Sequence, residues 1–172
     1  ITTRLVGSEM CIRDRYIEDL SDFYNREAGP EFLQMRQEIS NILIEENQLM
    51  EIVKLIGADV LPDEQKLIIE LARVVRVGFL QQNAYHKDDT YVPLEKQKLM
   101  MDIILVLYHE AKKALSKGVS MSEIMETGFM EKVIKVKYDI PNDKPEMFED
   151  YRKEITDTFA ELDSKADERR AV

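Results

Sequence analysis

The chain holds 172 residues, 44% of them hydrophobic and 34% charged, enough for one ordinary core. Its net charge of −10 repels phosphate backbones and anionic lipid headgroups, which argues against nucleic acid and membrane surfaces as direct partners. One cysteine, Cys11, excludes an internal disulfide and a cysteine-rich zinc site, and no apolar run approaches the roughly 18 residues of a bilayer span.

An intracellular, soluble chain is therefore expected. Tryptophan is absent and glycine and proline are scarce, a composition that favours helices.

Residues 7–15, Gly-Ser-Glu-Met-Cys-Ile-Arg-Asp-Arg, resemble the conceptual translation of a sequencing-library adaptor. Residues 1–15 are accordingly set aside as non-native, and 16–172 are read as one domain. From Tyr16 to Gly29 the segment is short, aromatic and acidic, and Gly29-Pro30 breaks it. Pro30 opens a helix whose apolar stripe is Phe32, Met35, Ile39, Ile42 and Leu43. The polar run Glu45-Glu46-Asn47-Gln48 predicts a bend. The stripe then resumes through Leu49, Ile52, Val53 and Ile56, and Gly57 is placed to stop it.

After the short connection from Ala58 to Leu61, Pro62 starts a second helix with Asp63 and Glu64 at its positive end. Its buried face reads Leu67, Ile68, Leu71, Val74, Val75 and Phe79, and so short a link makes the pair a helical hairpin. Gln81 to Tyr91 is polar and without period, a loop. Pro93 opens the strongest helix, with Met100, Ile103, Ile104, Leu107, Tyr108, Ala111 and Leu115 on one face, Lys112, Lys113 and Lys117 near its end, and Gly118 as stop. Ser120-Met-Ser-Glu123 is a capping-box pattern for a short helix. Gly128 precedes another helix, which runs to about Lys137. Pro141 and Pro145 bracket a turn, and Phe148, Tyr151, Ile155, Phe159 and Leu162 line a last helix whose charged tail, from Ser164, is expected to fray. The fold class is all-α, an orthogonal or hairpin-based helical bundle.

Chemistry is sparse. No Gly-x-x-x-x-Gly-Lys-Ser/Thr phosphate loop and no Gly-x-Ser-x-Gly nucleophile elbow occurs. His109-Glu110 would need a second histidine where Lys113 stands, so a zinc helix is not expected. His86, Asp88 and Asp89 lack further nitrogen or sulfur ligands and read as polar loop residues. No metal site and no catalytic residue is assigned.

Two stretches carry a resemblance. Phe79-Leu-Gln-Gln-Asn-Ala-Tyr-His86, continuing through Asp88-Asp-Thr-Tyr91 and Leu94-Glu-Lys-Gln97, resembles the signature of V-type/A-type ATPase catalytic A subunits. Glu51-Ile-Val-Lys-Leu-Ile-Gly-Ala-Asp-Val-Leu-Pro-Asp63 is similar to the same family's helix–turn–helix, and Tyr16 to Asn25 and Arg36-Gln-Glu38 also fit. Val77-Gly78 departs from the acidic pair often found before the family's Phe, and Tyr85 stands where Phe is common.

The resemblance implies the C-terminal helical bundle of an ion-translocating rotary ATPase subunit, coupling ATP hydrolysis or synthesis to H⁺ or Na⁺ transport. The complete A subunit would act on ATP/ADP with Mg²⁺ at its interface with the B subunit. Alternating A and B subunits would form a hexamer around the central rotor stalk, as a cytoplasmic head peripheral to the membrane. By motif position, Gln81, Gln82, Asn83, Ala84 and Tyr85 would line the adenine end, with Tyr85 as aromatic wall. Gly57, Ala58, Asp59, Val60, Leu61, Pro62, Asp63 and Glu64 would form the tip facing the rotor, where Asp59, Asp63 and Glu64 would meet basic side chains. Without a phosphate loop the chain alone is expected to be inactive. The competing reading is a free-standing acidic helical interaction module with no nucleotide role.

Overall fold

The computed structural model describes residues 20–57 and 60–170, and every regular element among them is helical. Residues 1–15, the Tyr16 end of the matching stretch, and Ala58 and Asp59 of the expected tip lie outside the described residues.

A short helix, α1 (Ser21–Glu27), occupies the segment that sequence alone left unassigned. Its Tyr24 ring stacks on Phe32 with centroids 5.0 Å apart, fastening it to α2 (Glu31–Ile56). No bend interrupts α2. Glu46 is buried there and receives both guanidinium nitrogens of Arg76, so the polar run is held by a partner across the hairpin. Glutamate and glutamine are also good helix formers, so nothing local opposes continuity. The expected resumption of the stripe is only partly correct: Leu49 is buried, but Ile52 is exposed and Val53 half-buried, because α2 runs on past the core.

Gly57, at φ +86°, closes α2 in a conformation that suits glycine. Helix α3 (Asp63–Val74) returns antiparallel and buries Leu67, Ile68, Leu71, Ala72 and Val74. At Val75–Leu80 the helix widens into a π-helical turn, which sequence periodicity had read as ordinary α-helix. The Gln81 N–H donates to the Arg76 carbonyl, five residues back, at 2.8 Å.

Helix α4 (Leu94–Ser116) runs through the centre and packs on α2, α3, α6 and α7. Leu107, Ala111 and Ala114 on it are wholly buried. The capping box at Ser120 is formed, with the Ser120 hydroxyl accepting from Glu123 N–H and the Glu123 carboxylate accepting from Ser120 N–H. It starts α5 (Met121–Glu126), followed by α6 (Phe129–Asp139) and α7 (Met147–Arg170).

The tail expected to fray from Ser164 is helical to Arg170. Long-range contacts hold it: Asp163 is buried and accepts from Lys117 at 2.8 Å, Ala166 is buried, and Arg169 meets Glu123 at 2.7 Å.

Candidate adenine-facing loop and hairpin tip

The loop from Gln81 to Tyr91 leaves the π-helical turn and folds on itself before Pro93. Tyr85 N–H donates to the Asn83 side-chain oxygen at 3.0 Å, a local turn that asparagine provides readily. The Thr90 hydroxyl sits 2.9 Å from the Ala84 carbonyl and 2.8 Å from that of His86. Gln81, Gln82, Asn83, Ala84 and Tyr85 are all exposed, and Tyr85 at 99% touches almost nothing. Together with Val77, Ile134, Lys137 and Tyr138 they line an open cleft of about 580 Å³. The Gln81 and Gln82 carboxamides have no hydrogen-bond partner among the described residues.

Beneath this surface lies a charged frame. Asp89 is buried and accepts from the Asn83 N–H at 2.7 Å. Lys137, on α6, is buried as well; it donates to the carbonyls of Val77, at 2.9 Å, and Gln81, and lies 3.6 Å from Asp89. A second buried lysine, Lys96, donates to the carbonyls of Lys137 and Ile140 and to Asn142 Oδ1. Burial pushes the Lys96 ammonium below its usual range, against the opposing pull of Asp88 and Asp89.

His86, Asp88 and Asp89, neighbours in sequence, do separate work. The His86 Nδ1 accepts from Asp88 N–H at 3.2 Å and its ring packs edge-on against Tyr138 at 4.8 Å. Among the described residues no group of His, Cys, Asp and Glu has the geometry to hold a metal ion. His109 faces outward from α4 with Nε2 3.1 Å from Glu38.

The described part of the hairpin tip mixes charged and apolar side chains. Asp63 turns inward: its carboxylate accepts from the Met121 N–H at 3.0 Å and so caps the start of α5. Leu61 is buried, Pro62 and Glu64 are exposed. Val60 on the tip is 68% exposed, and Leu55, in the last turn of α2 beside it, is 85% exposed.

Residues 21–125 match the family described as the C-terminal domain of V and A type ATP synthase. The chain belongs to that family. It is 44% identical over 143 residues to the V-type ATP synthase alpha chain 2 of Clostridium tetani, covering 83% of this chain and 24% of that protein. It is 39% identical over 147 residues to the V-type ATP synthase alpha chain of Halothermothrix orenii, covering 86% and 25%. To the A subunit of the A-type ATP synthase of Methanopyrus kandleri it is 40% identical over 152 residues, covering 88% and 26%. This member thus spans about a quarter of the length of the curated relatives it matches.

Within this V/A-type C-terminal domain, the glycine of the Val77-Gly78 departure has a packing reason, whereas Val77 is exposed. Gly78 is buried, and a Cβ there would stand 3.1 Å from the Ile134 Cα of α6. The π-helical turn and α6 touch backbone to backbone. Sequence reading missed the roles of the frame residues Asp89, Lys96 and Lys137 and the pairing of Glu46 with Arg76. The available signal was single charged residues on otherwise apolar helical faces, as at Lys137 beside Val133, Ile134 and Val136. Charge alone does not say which partner it finds. No described helix is long and apolar enough to cross a membrane.

Proposed function

We propose that this chain is the C-terminal helical part of the catalytic A subunit of a V/A-type rotary ATPase. In the complete protein its loop contributes the adenine end of the ATP/ADP site shared with the B subunit, and its hairpin tip meets the central rotor stalk. The single observation that carries the nucleotide role is the cleft in which Gln81–Tyr85 are presented together, with a Tyr85 ring that contributes nothing to the core.

A purine needs a flat face to stack on and amide groups for its polar edge. Tyr85 supplies the first, and the unpartnered Gln81 and Gln82 carboxamides supply the second. Relatives named as ATP synthase chains favour this reading over a free-standing interaction module. The chain meets the base and not the phosphates: Lys137, the cation nearest the cleft, spends its donors on backbone carbonyls. ATP with Mg²⁺ is therefore substrate for the whole catalytic protein, whose phosphate-binding and metal-binding parts belong elsewhere. Coupling to H⁺ or Na⁺ movement follows from swing of the bundle against the stalk. The partly apolar tip suits a sliding contact better than fixed ion pairs.

Magnitudes separate the part from the whole. Stacking one base on an aromatic ring contributes about 1–3 kcal/mol, whereas even millimolar affinity requires about 4.1 kcal/mol. The chain alone is expected to show no ATP binding by calorimetry at millimolar concentrations, and a sub-millimolar isotherm would contradict the account. In the complete, assembled enzyme, Tyr85→Ala is expected to raise KM for ATP by about 5- to 150-fold, the factor equivalent to that stacking energy, with a smaller effect on kcat. Because the ring is 99% exposed, the same substitution leaves the unfolding midpoint of the chain unchanged. An unaltered KM removes Tyr85 from the site.

A further inference from the structure

The adenine-facing loop reaches its shape through residues far from it in sequence. Lys137 is separated by 56 residues from Gln81 and by 60 from Val77, yet its ammonium donates to both their carbonyls. These are carbonyls at the open end of the π-helical turn, where partners within the helix run out and positive charge is favoured. Asp89, 3.6 Å away, accepts from Asn83 N–H. An ammonium has three donors; two of them go to the Val77 and Gln81 carbonyls, and the Asp89 carboxylate faces the same charge as an ion pair. The same two side chains thus tie the turn that enters the loop to the middle of the loop itself.

The exit is tied by a parallel device. Lys96 donates to Asn142 Oδ1 at 2.9 Å, and Asn142 Nδ2 donates to the Tyr91 carbonyl at 2.8 Å. Lys96 also donates to the Lys137 carbonyl at 3.1 Å, which joins the two devices through α6. Between these anchors Gln81–Tyr85 form an unbroken exposed run. Burying a lysine and an aspartate is unfavourable unless their geometry is well satisfied, and here the satisfied geometry is that of the loop backbone.

We propose that Lys137, with Asp89, is a positioning residue for nucleotide: it holds the Gln81–Tyr85 segment in the shape that receives the base, without touching the base. The proposal rests on the adenine reading above and adds to it a determinant beyond residues 21–125 that the family match covers. A loop that fills its binding shape only part of the time weakens affinity in proportion to that fraction. Loss of the clamp acts on KM and leaves the chemical step, which lies elsewhere, untouched.

The test is steady-state ATP hydrolysis by the complete catalytic protein in its assembled complex, beside amide hydrogen exchange on the 172-residue chain. Lys137→Met alone would strand the Asp89 carboxylate, so the main variant is Lys137→Met/Asp89→Asn, with Tyr85→Ala and the remote core variant Ile155→Val alongside. The double variant is expected to raise KM about tenfold, the effect of a loop competent about one-tenth of the time. Its kcat should stay within about twofold of the parent, and exchange at residues 83–85 should quicken. Ile155→Val lowers the unfolding midpoint and leaves KM where it was. If the double variant does not fold, Asp89→Asn alone carries the test, since it keeps an acceptor for Asn83 and loses the charge facing Lys137; a rise in KM of about threefold is expected. An unchanged KM in the clamp variant, while Tyr85→Ala raises it, overturns the positioning role and spares the adenine reading. An unchanged KM in Tyr85→Ala overturns both.

Discussion

Gly78→Ala tests how closely the π-helical turn and α6 are packed. The new methyl carbon would stand 3.1 Å from the Ile134 Cα and 3.6 Å from the Val133 carbonyl oxygen, both of them backbone atoms. A flexible side-chain tip would move aside; a helix backbone must shift as a body. Overpacking of this kind costs about 1–3 kcal/mol, and the usual preference of helices for alanine over glycine returns about 0.5–1 kcal/mol. The balance is a net destabilisation of about 1 kcal/mol, or about 2–4 °C in Tm for a chain of this size.

Urea and thermal unfolding of the chain, followed by helical circular dichroism, measure it directly. Because the clash is with a Cα, trimming the neighbouring side chain by Ile134→Val gives no rescue. A stability equal to or above that of the parent, or full recovery with Ile134→Val, refutes the backbone-contact reasoning.

The Glu46–Arg76 pair is asymmetric, with side chains 5% and 46% exposed. Arg76→Met strands a buried carboxylate and is expected to destabilise by about 3 kcal/mol. Glu46→Met, which leaves an arginine able to reach water, costs less, and the double variant is more stable than Arg76→Met alone; equal losses in urea midpoint would contradict the asymmetry. Glu123 is held at about 2, well below its ordinary 4.5, by the Ser120 N–H, Arg169 and the Ser120 hydroxyl. Its capping contribution is therefore complete above pH 4.5 and falls as pH drops toward 2, because the unfolded chain takes up the proton first. Urea midpoints measured from about pH 6 to about pH 2 should lose part of their slope in Glu123→Gln, and an identical slope would disprove the link.

Much of this architecture was legible from the order of residues alone. Proline before α2, α3 and α4, glycine after α2 and α4, and apolar positions three and four apart show where these helices start, where two of them stop, and most of the face each one buries. The capping box at Ser120 could be read from four residues, because both of its hydrogen bonds are local. The glutamine-rich loop could be found by its lack of period and its resemblance to a family signature. Each of these depends on neighbours within about one helical turn, the range over which sequence is itself geometry.

Contacts between distant segments were not legible. The run at Glu45–Gln48 looked like a bend until Arg76 appeared opposite Glu46, and the charged tail looked loose until Lys117 and Glu123 appeared opposite Asp163 and Arg169. A charged side chain has the same local preferences whether it meets water or a buried partner, so sequence could not tell these cases apart. Asp63 could be assigned to its own helix start but not to Met121, at the start of α5. The order of residues therefore determined the helices, their faces and the exposed loop. Packing in three dimensions decided which charges are buried, where the helix widens at Gly78, and which lysine holds the loop, because those outcomes turn on what lies across the core.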